Sequence, residues 1–86
     1  MSLNSLRGEI DEIDWRILKL IKNRFNLVPK IKKEKIKLGL KVQDQEREKE
    51  IKKRITVFAK KLNLNSDFLE DVFKLIFKES RRFQRK

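Results

Sequence analysis

Leu6, Ile10, Ile13, Ile17 and Leu20 recur at alternating steps of four and three, the spacing of one face of an α-helix. No stretch of the chain alternates with period two, so strands are not expected. The stripe predicts a first helix from about Leu3 to about Lys37. Gly39 can end it, and Lys35 and Lys37 suit the negative end of its dipole. A helix of about 30 residues is about 45 Å long, whereas a compact chain of this size has a diameter near ~30 Å. The 86 residues cannot cover such a helix alone. Its apolar stripe either stands bare or pairs along its length with another copy of itself, and the expectation is an intertwined homodimer.

Pro29 falls inside this helix, where it removes a backbone donor and crowds the carbonyl of Phe25, at a cost of about 3 kcal/mol. A kink is expected there, and the alternative is a helix that stops at Val28 and restarts. A second helix begins near Asp44, a good N-cap residue, and continues through Ile51, Ile55, Phe58 and Leu62. Asn63-Leu64-Asn65-Ser66-Asp67 is turn chemistry, with Asn65 as N-cap of a third helix and Leu64 and Leu69 at staple positions. The expected architecture is all-α: three helices per chain, a long first and two shorter ones, in an intertwined homodimeric helical bundle. It forms a single domain over residues 1–86, with residues 1–4 set apart as foreign to the fold or disordered.

With neither Cys nor His, the chain has no thiolate, no imidazole base and no histidine metal ligand. No metal and no cofactor is expected. No apolar run approaches the roughly 20 residues that span a bilayer, so no membrane partner is expected and the cytoplasm is the default compartment. Lys+Arg 24 against Asp+Glu 13 makes anionic partners a real option, nucleic acid first among them. The abundance of Lys and Glu together also suits a surface laced with ion pairs.

The helix stripes separate these options. Beyond Leu20 the first stripe runs Ile17, Ile21, Arg24, Val28, Ile31, Lys35, so two cations occupy core positions. Eleven residues make three turns plus about 20°, which puts Arg24 and Lys35 on one face about 16 Å apart. The second helix repeats the anomaly as Asp44, Glu48, Ile51, Ile55, Phe58, with Arg47 beside the acids. The third runs Leu69, Val72 or Phe73, Ile76, Ser80, then Phe83 and Gln84. Any one of these polar groups could be a long stem reaching out from a stripe edge, or a serine bonded to its own helix. Together they describe inward-facing polar positions on all three helices. Buried charges are costly unless paired or used, and the surplus is cationic. Such a site suits a small anion carrying carboxylates, which Arg clamps through two parallel hydrogen bonds. Nucleic acid would require the cations on an exposed face, and it is not the expected partner.

These residues carry a resemblance to the all-α class of chorismate mutase over residues 6 to 84. "LRGEIDEIDWRILKLI" resembles the start of the family's first helix. In "KNRFNL", Arg24 matches its second Arg, and Lys35 in "KKEK" matches its active-site Lys. "VQDQEREKE" resembles the second-helix start, matching Asp44, Arg47 and Glu48 in order. "KLIFKESRRFQ" supplies Ser80 and Gln84 at the Ser-x-x-x-Gln spacing. Pro29, where the family usually has an ordinary helix former, and Gly8, just after the first Arg, are the departures.

The resemblance implies a cofactor-free [3,3] rearrangement of chorismate to prephenate. Such a reaction needs its compact conformer held and the charge growing on the ether oxygen stabilised. It implies further that Arg7, Arg24 and Arg47 hold carboxylates, that Lys35 and Gln84 donate to the ether oxygen, and that Glu48 with Asp44 engages the ring hydroxyl. Ser80 completes the carboxylate shell, and Arg7 serves the partner's site. The competing readings are a lyase-like enzyme acting on isochorismate on the same fold, against which Glu48 argues, and a basic helical nucleic-acid-binding protein. A coiled-coil adaptor is disfavoured by the charges in its seam.

Overall fold

The computed structural model describes residues 2–42 and 45–85, and among them it contains helices α1 (Leu3–Lys37), α2 (Gln45–Leu62) and α3 (Ser66–Arg85) and no strand. The all-α expectation holds. The expected N-cap Asp44 lies outside the described residues.

Local chemistry accounts for the helix ends. Ser2 caps α1 by accepting the Ser5 N–H at 3.1 Å, while the Ser5 hydroxyl accepts from the Ser2 backbone, so Leu3 and Asn4 already belong to the helix. At the other end the Gly39 N–H donates to the Ile36 carbonyl at 3.1 Å and the Leu40 N–H to the Lys35 carbonyl at 2.8 Å. Gly39 has φ of 69°, the left-handed conformation this closure needs and glycine supplies without strain. Asn63 does the same for α2 at φ 56°, with Leu64 donating to the Ala59 carbonyl at 2.8 Å. Asn65 then caps α3, its side-chain oxygen accepting the Phe68 N–H at 3.1 Å.

α1 passes through Pro29 without interruption, so the restart after Val28 is not found. Its 35 residues amount to about 52 Å, nearly the whole long axis of a chain measuring 55 × 26 × 16 Å. α3 packs against both other helices. The buried apolar side chains among the described residues are Val28, Ile55, Ala59 and Phe77. Phe25 stacks on Phe83 with ring centroids 5.1 Å apart, tying the middle of α1 to the end of α3.

The predicted stripe of α2 needs one correction. Phe58 and Leu62 are exposed, and Ala59, fully buried, takes the inward place. A step of four from Ile55 turns the helix only about 40° and a step of three about 60° the other way. The small Ala59 side chain lets α2 and α3 approach closely, which Phe at that position would prevent.

Leu6, Ile10, Ile13, Ile17 and Leu20 are all exposed, Leu20 at 66%. The consequence appears in two global quantities. The radius of gyration is 16.2 Å, against about 12 Å for a compact chain of this length. The accessible surface is 7614 Å², against roughly 5,400 Å² for a compact monomer of the same mass.

Candidate active site

Where α1 and α2 diverge across α3 they leave a cavity of about 230 Å³. Its polar lining is Arg24 and Lys35 from α1, Arg47 and Glu48 from α2, and Ser80 and Gln84 from α3, while Leu27, Val28, Ile31 and Ile51 form the apolar wall. Six of the eight residues singled out in the sequence thus meet in one place. Arg7 is exposed on the N-terminal half of α1 and does not line this cavity. Asp44 lies outside the described residues.

Five of these six polar groups, Arg24, Ser80, Lys35, Arg47 and Glu48, have a hydrogen-bond partner in the structure. The Arg24 guanidinium donates to the Ser80 hydroxyl at 3.0 Å and lies over the Phe77 ring, 5.8 Å from its centroid. Ser80 is buried and donates in turn to the Ile76 carbonyl at 2.9 Å, so it bonds its own helix and orients Arg24 at once. Burial pushes the Arg24 guanidinium below the usual arginine range, repulsion from Arg47 acts in the same direction, and Glu48 opposes both. Lys35 donates to the Val42 carbonyl at 2.9 Å, which ties the end of α1 to the segment leading into α2. Arg47 donates to Glu50 at 3.0 Å on its own helix.

Glu48 is held by a residue that does not line the cavity. One terminal nitrogen of Arg81 donates to both its carboxylate oxygens, at 3.0 and 2.9 Å, linking α3 to α2. Arg81 had no signal in the sequence, because it stands 33 positions from its partner and one position off the inward stripe of α3. Phe77, one turn before Ser80, belongs to the same periodicity and is legible from it.

Three cations face one carboxylate among the described lining residues. A half-open cavity with that surplus and an apolar wall fits a small organic anion with more than one carboxylate, since each guanidinium offers a planar pair of donors. No His, Cys, Asp or Glu cluster able to hold a metal ion occurs among the described residues. No described helix is long and apolar enough to cross a membrane.

Comparison with known proteins places the chain in a family. A family model described as chorismate mutase type II matches residues 6–85. The chain is 41% identical over 85 residues to a bifunctional chorismate mutase/prephenate dehydratase of Buchnera aphidicola subsp. Acyrthosiphon pisum, a match covering 99% of the chain and 22% of that protein. It is 35% identical over 83 residues to a chorismate mutase of Methanocaldococcus jannaschii, covering 96% of the chain and 84% of the relative. A T-protein of Haemophilus influenzae is 33% identical over 79 residues, covering 92% of the chain and 21% of that protein. The chain therefore spans about a fifth of the length of the bifunctional relative and of the T-protein.

Proposed function

The chain belongs to the chorismate mutase type II family, and we propose on that footing that it rearranges chorismate to prephenate in the cavity between its three helices. The observation that carries this reading is the convergence of Arg24, Lys35, Arg47, Glu48, Ser80 and Gln84, drawn from all three helices, on one cavity with a cationic surplus.

In a [3,3] rearrangement one ether C–O bond breaks as one C–C bond forms, within a single molecule. No proton leaves or enters. The site's task is to select the folded conformer and to stabilise charge on the ether oxygen. Arg24 and Arg47 clamp carboxylates, and Ser80 fixes the Arg24 fork. Lys35 and Gln84 donate to the ether oxygen, while Glu48, with Asp44, accepts from the ring hydroxyl. The apolar wall of Leu27, Val28, Ile31 and Ile51 excludes water and strengthens each of these interactions.

The working unit is a homodimer. Its support is the bare stripe from Leu6 to Leu20, together with an accessible surface exceeding that of a compact monomer by about 2,200 Å². An area of that order matches a permanent interface. Arg7 lies seventeen residues before Arg24, about 25 Å along the helix and roughly 100° around it, so it serves the partner subunit's cavity.

The test is direct: the protein is added to chorismate with a chelator present, and loss of chorismate absorbance is followed together with the appearance of prephenate. Catalysed conversion is expected. Release of pyruvate from isochorismate with chorismate left intact would overturn the reading in favour of a lyase.

Gln84 gives a second test with a sign. An amide donates its N–H at any ordinary pH, whereas a carboxyl donates only while protonated. In Gln84→Glu, burial raises the new group's pKa and Lys35 and Arg24 lower it. In either case the variant's kcat/KM is expected to be greatest at acid pH and to fall as pH rises through that pKa, because the carboxylate then repels the developing oxyanion. Normalised wild-type and variant profiles that superimpose from about pH 4.5 to 9 would remove Gln84 from the reacting ether.

A further inference from the structure

Arg81 makes no contact with the cavity, yet its partner Glu48 lines it. The ion pairs Arg16–Glu12, Lys37–Glu34, Lys49–Glu46 and Arg82–Glu79 join residues three or four apart on exposed helix surface. Arg81–Glu48 instead bridges α3 and α2, with side chains only 37% and 29% exposed. A single terminal nitrogen of Arg81 donates to both carboxylate oxygens, and Arg81 is not among the residues that line the cavity.

The surroundings explain the need for such a hold. Glu48 is the only acidic side chain among the described residues of a cavity that also presents Arg24, Lys35 and Arg47, and its charge already acts on Arg24. A carboxylate left to itself there would swing toward those cations and compete for them with the carboxylates of a dianionic substrate. We propose that Arg81 is a positioning residue that tethers Glu48 to α3 and so keeps its carboxylate from competing with the substrate carboxylates for the cations of the cavity. This role rests on the mutase reading above and adds to it a residue outside the substrate's reach.

The proposal separates KM from kcat. Without Arg81, Glu48 pairs with the substrate-binding cations in the free enzyme. Substrate must displace it before binding, a cost shared equally by the bound ground state and the transition state. Arg81→Met is therefore expected to raise KM about tenfold with kcat within about threefold of wild type. Arg81→Lys, which still reaches one oxygen, recovers most of that loss. In a Glu48→Gln background the neutral amide has no charge to misplace, so adding Arg81→Met leaves KM within about twofold of the single Glu48→Gln value.

Steady-state kinetics of the four proteins of this cycle, plus Arg81→Lys, decide the matter. Equal rises in KM on adding Arg81→Met to wild type and to Glu48→Gln would overturn the proposal, because Arg81 would then bind substrate itself. A fall in kcat and melting temperature with KM unchanged would equally overturn it, in favour of a purely structural bridge. An active wild type with an unaffected Arg81→Met variant sinks the tether alone. A wild type inert toward chorismate sinks the mutase reading and the tether with it.

Discussion

Arg24→Met is expected to lower kcat/KM by about 10³-fold, the scale for removing one preorganised charge-stabilising donor, while the melting temperature stays the same or rises. The stability half of this expectation follows from the site itself. Burial and the neighbouring Arg47 both disfavour the charged form of Arg24. An Arg remains protonated throughout the workable pH range, so the folded state carries that cost at every such pH. Arg24 is partly buried, and replacing a charge taken out of water by an apolar side chain of similar volume is commonly neutral or stabilising. Ser80 is not orphaned by the change, since its hydroxyl still donates to the Ile76 carbonyl. The check is a thermal melt beside steady-state kinetics on the same preparation. Retained activity would remove Arg24 from the site, and a lost fold would show that it is a structural residue.

The second large effect is one of recovery. Arg7→Ala and Lys35→Ala are each expected to be nearly inactive, yet equimolar chains unfolded together and refolded are expected to regain up to about a quarter of wild-type activity. The ceiling is statistical. In a two-fold symmetric dimer half the refolded molecules are mixed, and each mixed dimer pairs an intact Lys35 with the partner's intact Arg7 in one of its two cavities. Well-folded mixed dimers with no recovered activity would show that Arg7 does not cross to the partner. Either variant chain active on its own would remove that residue from the site.

Much of this is legible in the sequence alone, and the residues show why. The apolar stripe of α1, the turn at Asn63-Leu64-Asn65 and the left-handed closure at Gly39 all depend on contacts within about four residues, where helix geometry acts directly. The polar interruptions at Arg24, Lys35, Glu48, Ser80 and Gln84 were visible for the same reason, because a charge at a core position breaks a pattern that extends on either side of it. The resemblance then supplied roles for those positions that periodicity alone left open. The error at Phe58 arose where the pattern allowed either a step of three or a step of four. Ala59 was the buried residue, and only the closeness of α3 distinguishes the two.

By itself, then, the sequence determined the three helices, the end of α1 at Gly39 and the cap of α3 at Asn65, the excess length of α1 and the inward polar positions, all consequences of a 3.6-residue period and local backbone chemistry. The tertiary structure decided how those polar groups divide among themselves: Arg24 to Ser80, Lys35 to the Val42 carbonyl, and Glu48 to Arg81 rather than to the cations across the cavity. Each of these pairings depends on the distance and rotation between chain segments. Long flexible side chains with several possible acceptors carry no local preference among them, so the packing of the chain segments against one another selects one.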